Sequence, residues 1–270
     1  MHTIPNVFVG VVDILGYDSL ETTVQRFGVE SSQALMTEVY QRLESTINGF
    51  RTGSSITWHQ YGDGFVFHSP TDDIAHLPVF VQQSCTLLAL SLNQSIPLRV
   101  AITQNTLNID KIANGLTISG PGWTVLREIE KSLNWMGGLL YLPTYDGTHD
   151  PTVTHLVNTT WLVIRQLQGP NPHFTPPFKA NLGFETTRTW FLNWHKILQL
   201  PKHQLDPIIR QWWLQIAHDK QINASQQVQE KQDNTIAFSD YCRQLYEAAS
   251  LVFFSDINKD IDMQAIGPGP

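Results

Sequence analysis

The 270-residue sequence predicts an α+β protein in which a mixed β-sheet packs against helices and a mostly helical C-terminal extension follows. Two observations predict this class. Up to Pro143, short apolar runs rich in β-branched residues alternate with segments of helical periodicity, which is typical of sheets with helices between their strands. One pair of strands is joined by Gly62-Asp63-Gly64, a tight-turn sequence that makes neighbouring strands antiparallel.

Each predicted element has a local signal. The first strand is the β-branched run NVFVGVVDI, and the second helix begins at Thr71, Asp72 and Asp73, residue types that cap helix N-termini. In chain order the predicted elements are a strand at 6–14, a helix at 31–47, hairpin strands at 54–62 and 64–69, a helix at 71–94, a strand at 97–104, a polar loop, a helix at 123–136 and a strand at 138–143. This order favours a ferredoxin-like or palm arrangement.

The chain divides into three stretches by composition. Residues 1–143 form the predicted domain, residues 144–184 are a connection rich in Thr, Asn and Pro, and residues 185–270 form the helical extension. Within the extension, helical spacing occurs at 187–200, 205–218 and 235–254, and its aromatic stripes are predicted to pack in a core or an interface.

Charge and cysteine content exclude several function classes. The net charge is −7 without a block of Lys or Arg, which argues against a general nucleic-acid-binding face but not against one small phosphorylated ligand. The two cysteines, Cys85 and Cys242, have no partner at metal-ligand or redox-motif spacing, so buried thiols in a reducing compartment are expected. The chain shows neither a signal peptide nor about 18 uninterrupted apolar residues for a membrane span, so we expect a cytoplasmic protein.

Two acidic residues stand at the ends of strands that should be neighbours. Asp13 closes the first strand and Asp63 lies in the hairpin turn, each within apolar sequence where a lone charge is costly. A divalent cation such as Mg²⁺ would neutralise both carboxylates and bind phosphate oxygens as well. The turn Ile14-Leu15-Gly16-Tyr17 is a candidate cradle of N–H groups for those phosphates. The alternatives are a solvent turn for Asp63 and a strand-end cap for Asp13.

These motifs resemble the class III nucleotide cyclases. In that family the first strand ends in Asp-Ile-x-Gly-Phe/Tyr, which Asp13-Ile14-Leu15-Gly16-Tyr17 matches, and a hairpin carries the Gly-Asp matched by Gly62-Asp63. Weaker similarities are LRVAITQN at 98–105 and GPGWTVLREIEK at 120–131. The resemblance covers residues 5–143, roughly half of the chain.

The resemblance implies a homodimer with its active sites at the subunit interface. Asp13, the Ile14 carbonyl and Asp63 would bind two Mg²⁺ or Mn²⁺ ions. The substrate would be a nucleoside triphosphate whose ribose 3′-hydroxyl attacks the α-phosphate, closing a cyclic ester and releasing pyrophosphate.

The base-reading positions depart from both purine patterns of the family. Adenylate cyclases have Lys, and guanylate cyclases Glu, four residues before the hairpin Asp, whereas this chain has His59. Strand alternation places His59, Tyr61 and Asp63 on one face, where the first two would line a base pocket with little room for a purine. This pattern resembles the pyrimidine cyclases of bacterial antiphage systems, which make cyclic UMP or cyclic CMP for a partner effector. UTP is favoured over CTP, and the alternative interpretation of His59 is a half-buried strand histidine.

The transition-state residues also depart from the family pattern. The family's Asn and Arg, four residues apart, align with Leu126 and Glu130, which lack that chemistry. One residue further on, Arg127 and Lys131 share a helix face, and we predict that they contact the phosphates, with Arg127 the catalytic residue. Arg99 is a second candidate phosphate contact. The alternatives are a solvated helix face for the pair, a structural ion pair for Arg99, and, for the whole chain, an adenylate cyclase with a divergent base pocket or a nucleotide-binding pseudo-cyclase.

Overall fold

A computed structural model describes residues 2–15, 32–62, 64–112, 115–145, 150–164, 188–211, 226 and 228–244. Its strands belong to one sheet. They are β1 (His2–Ile14), β2 (Thr57–Tyr61), β3 (Gly64–His68), β4 (Leu98–Ile112), β5 (Gly115–Ser119), β6 (Gly137–Tyr141), β7 (Leu162–Ile164) and β8 (Thr189–Leu192).

The helices alternate with these strands in the first half of the chain and dominate the second half. They are α1 (Ser32–Arg51), α2 (Leu77–Asn93), α3 (Pro121–Ser132), α4 (Pro151–Asn158), α5 (His195–Leu198), α6 (Lys202–Arg210) and α7 (228–244), with a 3₁₀ turn at Ile74–His76 before α2. The predicted α+β class with a mixed sheet is confirmed.

The sheet has the order β2-β3-β1-β4-β6-β8-β7, and β5 pairs with the far end of β4. The β4–β6 pair is parallel and the other pairs are antiparallel. Strands β1 and β4 lie at the centre, which explains why their sequences are almost continuously apolar where both faces are covered. The predicted hairpin is confirmed, with Tyr61 opposite Gly64 across the turn.

One face of the sheet packs against α1 and α2. Trp58 stacks on Phe67 with ring centroids 4.2 Å apart, and Phe67 stacks on Phe80 of α2 at 4.9 Å. The stretch Ile74–Asn93 is long and apolar enough to cross a membrane by length and composition, and 50% of its most apolar window is buried inside the protein. Burial of this kind is typical of the core helix of a globular domain.

The opposite face of the sheet holds α3 and the candidate site. Register places Asp13 beside Arg99 and His68 beside Val9, so these four side chains share that face with His59 and Tyr61 of β2. Helix α3 approaches this face closely at Gly122, where an added Cβ would lie 2.9 Å from the Thr106 carbonyl oxygen.

Two parts of the sheet differ from the sequence prediction. The residues after 104 were expected to form a polar loop, but β4 continues to Ile112 and turns back as β5. Leu107, Ile109 and Ile118 are buried and alternate with polar residues, which is the period of a strand. Residues 187–200 were expected to be helical, but Thr189–Leu192 form β8 between β6 and β7, because this β-branched and aromatic run is buried against its two neighbours.

The C-terminal helix α7 packs into the same core. Phe238 lies within 6.2 Å of the rings of Trp135, Phe191 and Trp194. The Met136 N–H donates to the Thr235 hydroxyl at 2.9 Å. The aromatic residues of the extension therefore contribute to packing against the sheet, as predicted for a core.

Candidate active site

Asp13 lies at the end of β1, directly opposite Arg99 of β4. Its carboxylate is buried, with a residue exposure of 7%. Arg99 donates from Nε to Asp13 Oδ2 at 3.2 Å, and its Nη2 donates to the same oxygen. A buried carboxylate needs such a partner, because an uncompensated charge at this depth would destabilise the fold.

The Arg99 guanidinium also binds the C-terminal end of α3. Its Nη2 lies 2.5 Å from Glu130 Oε1, and its Nη1 donates to the Glu130 and Leu133 carbonyl oxygens at 3.1 and 3.5 Å. All three nitrogens of the guanidinium are therefore engaged by protein oxygens. The structure thus gives Arg99 the structural pairing that the sequence left as its alternative role, while its contact with phosphate stays a prediction.

Glu130 is a buried carboxylate beside Asp13. Burial raises the pKa of the Glu130 carboxyl, Arg99 opposes that rise, and the Asp13 carboxylate adds to it. Arg127 Nη1 lies 2.8 Å from Glu130 Oε2, but this oxygen accepts no well-directed hydrogen bond, so the contact is an ion pair more than a hydrogen bond. Two arginines and two carboxylates thus form one charged cluster, which we call the Asp13 cluster (Asp13, Arg99, Arg127, Glu130).

Arg127 differs from Arg99 in its exposure. Its side chain is 39% exposed, against 15% for Arg99, and its guanidinium carbon lies 5.6 Å from the centre of the Trp123 ring. One side of this guanidinium therefore remains accessible to a ligand, while the indole ring and Glu130 hold it in place.

The hairpin turn packs against the end of β1. Gly62 has a φ of +56°, which favours glycine, and its carbonyl oxygen accepts a 2.6 Å hydrogen bond from the Tyr40 hydroxyl. A Cβ at Gly64 would lie 2.0 Å from the Val12 carbonyl oxygen, so only glycine fits there. Glycine is thus favoured at position 62 by the positive φ and required at position 64 by the close approach of the Val12 carbonyl oxygen.

A cleft of about 230 Å³ opens between the end of β1, the hairpin and α3. Tyr61 and Trp123 stand against each other on its wall, with ring centroids 5.0 Å apart and planes at 74°. The residues that line it are Val11, Val12, Asp13, Tyr61, Gly64, Trp123 and Arg127. The cleft thus joins a carboxylate, an arginine and an aromatic pair, which suits a ligand with an anionic end and a flat end.

The structure brings some of the predicted site residues together and separates others. Asp13, Tyr61 and Arg127 line the cleft, whereas His59 lies in a different cavity with His68. Lys131 is exposed and does not line the cleft.

The predicted phosphate cradle is described only in part. The Leu15 N–H donates to the Pro97 carbonyl oxygen at 2.9 Å, and Ile14 continues the β1–β4 ladder opposite Leu98. Of the other predicted site residues, Gly16, Tyr17 and Asp63 lie outside the described residues.

The donor set around Asp13 is compatible with a hard divalent cation. Asp13 supplies a carboxylate at the wall of an open cleft, and the Ile14 carbonyl follows it in the chain. Such oxygen ligands suit Mg²⁺ or Mn²⁺. Within the described part of the chain no group of three or more His, Cys, Asp or Glu side chains is placed to hold a metal, so Asp63 would have to complete the set.

The sequence analysis did not predict Trp123 or Glu130 as residues of the site. Trp123 could have been found from helical spacing, because it precedes Arg127 by four residues and so shares its face of α3. Glu130 contacts Arg127, three residues earlier on the same helix, and also Arg99, 31 residues away along the chain, and no local pattern predicts the second pairing.

No protein-family model and no curated protein sequence matches the chain. Among solved structures, the chain is similar to the guanylate cyclase domain of RhGC from Catenaria anguillulae in complex with GTP, at 12% identity and a TM-score of 0.47, covering 72% of this chain and 98% of that one. It is also similar to the adenylyl cyclase CyaB from P. aeruginosa, at 14% identity and a TM-score of 0.43, covering 71% and 96%. A dimeric guanylyl cyclase domain from the aquatic fungus Blastocladiella emersonii gives 10% identity and a TM-score of 0.45, covering 72% and 98%.

Proposed function

We propose that the chain is a nucleotide cyclase that converts a pyrimidine nucleoside triphosphate, UTP more than CTP, to the 3′,5′-cyclic monophosphate and pyrophosphate. The observation that carries this proposal is the cleft, which unites the carboxylate of the Asp-Ile-x-Gly motif, an arginine and an aromatic pair. In the reaction the ribose 3′-oxygen forms a bond to the α-phosphorus. The bond from that phosphorus to the bridging oxygen breaks, and pyrophosphate leaves.

The polar groups in and beside the cleft each have a role in this proposal. Arg127, with its accessible guanidinium, donates to the phosphate oxygens on which charge develops. Arg99 holds the Asp13 carboxylate in position and binds α3 to the strand end at the same time. Asp13, the Ile14 carbonyl and Asp63 would hold two Mg²⁺ or Mn²⁺ ions, which when bound offset phosphate charge and acidify the attacking hydroxyl.

The aromatic pair is the base-binding end in this proposal. Tyr61 and Trp123 meet edge to face at 5.0 Å and narrow the cleft, which favours a single-ring base over a purine. His59 is replaced in this role by Trp123, because His59 faces a separate cavity. The absence of Lys and Glu at position 59 also removes the purine-reading residues of the family that the motifs resemble.

Further parts of the proposal extend beyond one chain. A homodimer and a partner effector that senses the cyclic nucleotide in antiphage defence follow from the resemblance of the motifs, and a cytoplasmic location is proposed with them. Within one chain, Leu126 is fully buried and Glu130 is bound by two arginines, so neither residue offers a donor to a substrate.

The test is a product assay. The purified full chain is incubated with each of the four nucleoside triphosphates and Mn²⁺, and the products are identified by mass spectrometry. The proposal predicts cyclic UMP or cyclic CMP as the main product. Cyclic AMP or cyclic GMP as the main product would contradict the pyrimidine assignment and leave the cyclase assignment intact.

A matched pair of variants connects the product to the cleft. Asp63→Asn should lose turnover, since Asn is a weaker metal ligand of the same shape, and Asp72→Asn, at an exposed position before α2, should retain it. Full activity of the Asp63→Asn variant would refute the metal assignment.

A pseudo-cyclase, which binds a nucleotide without turning it over, is the second candidate. The Asp13 cluster favours it, because Asp13 is already paired with Arg99 and the aligned transition-state positions carry Leu126 and Glu130. Calorimetric binding of a nucleoside triphosphate in the presence of Mn²⁺ without any product would support this candidate over the cyclase.

A further inference from the structure

A second cavity lies on the same face of the sheet, away from the Asp13 cleft. It measures about 400 Å³ and is lined by His2, Ile4, Thr57, His59, His68, Ile109, Asp110 and Lys111. None of these residues lines the cleft, so the cavity needs an explanation of its own.

Two histidines of the hairpin face each other in this cavity. Register pairs His59 with Val66 and Thr57 with His68, so the two imidazoles form a diagonal cross-strand pair. Their Nε2 atoms are 3.3 Å apart, and the ring centroids are 5.4 Å apart with the planes at 17°. We call His59 and His68 the histidine pair.

These distances match two imidazoles bound to one tetrahedral metal ion. Two ligand nitrogens at about 2.0–2.1 Å from Zn²⁺ and at the tetrahedral angle lie about 3.3–3.4 Å from each other. With each ring pointing its Nε2 at the ion, the centroids would be about 5.3 Å apart. The 3.3 Å separation also meets the distance for a hydrogen bond between the two rings, which a bound ion would replace.

The surroundings fix His68 in the form that binds metal. Its Nδ1 lies 2.9 Å from the Ser69 carbonyl oxygen, which makes Nδ1–H the donor and leaves a lone pair on Nε2. Neutral imidazole is the metal-binding form.

We propose that the histidine pair is a site for a borderline transition-metal ion of the Zn²⁺ type, separate from the Asp13 cleft. Imidazole nitrogens select such ions, whereas Mg²⁺ and Mn²⁺ prefer the oxygen ligands of the cleft. In the described part of the chain no third His, Cys, Asp or Glu converges on the same point, so water completes the coordination. This proposal does not depend on the cyclase assignment.

The test uses chelator-treated full chain in excess Mg²⁺, titrated calorimetrically with Zn²⁺, and with Co²⁺ while its visible absorption is followed. The proposal predicts that one Zn²⁺ binds per chain. It also predicts that bound Co²⁺ shows visible absorption bands with the high intensity typical of tetrahedral coordination. His59→Gln and His68→Gln should each weaken Zn²⁺ binding at least about tenfold, in keeping with the loss of a ligand or its support. His203→Gln, at an exposed position in α6, and Asp13→Asn should bind as the parent does.

Three results would overturn the proposal. Parent-like Zn²⁺ affinity in His59→Gln and His68→Gln would leave the pair as two hydrogen-bonded rings. Loss of binding in Asp13→Asn would assign the ion to the cleft. If His68→Gln fails to fold, the unsubstituted chain still decides, because ¹⁵N spectra of its imidazoles must show Zn²⁺ shifting the Nε2 signals of both histidines, and unshifted signals would contradict the site.

Discussion

The Asp13 cluster and the histidine pair lie on the same face of one sheet but differ in how their ionisable groups are accommodated. At the strand end, two carboxylates and two guanidiniums lie within ion-pair distance of one another. In the middle of the hairpin, burial lowers the pKa of two imidazoles and so favours their neutral form. The sheet thus separates the site that we propose for hard cations and phosphate from the site that we propose for a borderline metal ion.

This difference shows how the position of a residue along its strand determines its neighbours and its access to ligands. Asp13 still pairs with β4 but lies one residue beyond the last β1–β3 pair, Val12–Phe65, and a cleft opens beside it. His59 and His68 lie within the β2–β3 ladder, where cross-strand neighbours are fixed by register. A cluster of charges needs mutual compensation to be stable, whereas neutral rings need only space and a hydrogen-bond partner.

The largest expected effect comes from removing one positive charge from the Asp13 cluster. Arg99→Ala leaves Asp13 and Glu130 as neighbouring buried carboxylates, so we expect a loss of about 3–5 kcal/mol in the free energy of unfolding. Arg42→Ala removes an exposed pair with Glu38 and should cost less than about 1 kcal/mol. Urea unfolding of both variants checks this, and equal losses would show that Arg99 is not the centre of the cluster.

A second comparison separates the two cations of α3. Arg127→Ala should lower turnover about 100-fold, because one donor to a developing phosphate charge is lost. Lys131→Ala, one helical turn further and outside the cleft, should leave turnover within about twofold. Initial rates with the preferred nucleotide decide, and a larger loss in Lys131→Ala would reverse the assignment of the two residues.

The close packing of the hairpin on β1 predicts an intermediate effect. In Gly64→Ala the new Cβ would meet the Val12 carbonyl oxygen, so the hairpin must move away from Asp13, at a cost of about 1–3 kcal/mol. Gly53→Ala is the control, because a Cβ there meets nothing within 4 Å. Thermal unfolding compares the two, and a neutral Gly64→Ala would mean that the turn tolerates displacement.

The smallest expected effect concerns the histidine pair. Unfolded histidines take up protons below about pH 6.5, while folded His59 does so only near pH 4. The unfolded state therefore binds more protons between these values, and the free energy of unfolding falls as the pH drops from about 6.5 to 4. The positive charges of Lys111 and Arg51 also lower the pKa of His59 and act in the same direction.

Urea unfolding in chelator at pH 7 and pH 5 measures this slope. The double variant His59→Gln/His68→Gln should show a smaller fall between the two pH values than the parent chain. An equal fall would show that other groups cause the pH dependence.

The sequence was sufficient for the parts of the fold with local signals. The run ending at Asp13, the Gly62–Gly64 turn and the capped start of the α2 region each carry their own pattern, and the structure has all three elements. The β4–β5 hairpin was missed because its residues are polar on one face, although the alternation of Leu107 and Ile109 carried the signal. Strand β8 was missed because its short aromatic run also fits a helix.

The site was predictable only in part, for a physical reason. The pairing of Arg99 with Asp13 and Glu130 joins residues 86 and 31 positions apart, and only the assembled sheet and α3 bring them together. The histidine pair was within reach of sequence reasoning, because a turn centred on residues 62 and 63 fixes the register that brings His59 close to His68.

The most direct test of the central claim is turnover of UTP in Mn²⁺ by the parent chain and by Asp13→Asn, with cyclic UMP and pyrophosphate both quantified. We predict equal amounts of the two products from the parent chain and a loss of at least about 1,000-fold in the variant, because its neutral amide no longer offers the anionic metal ligand. If the parent chain forms no cyclic nucleotide from UTP or any other nucleoside triphosphate, or if Asp13→Asn forms it at the same rate, the assignment of the Asp13 cleft as a nucleotide cyclase site is contradicted.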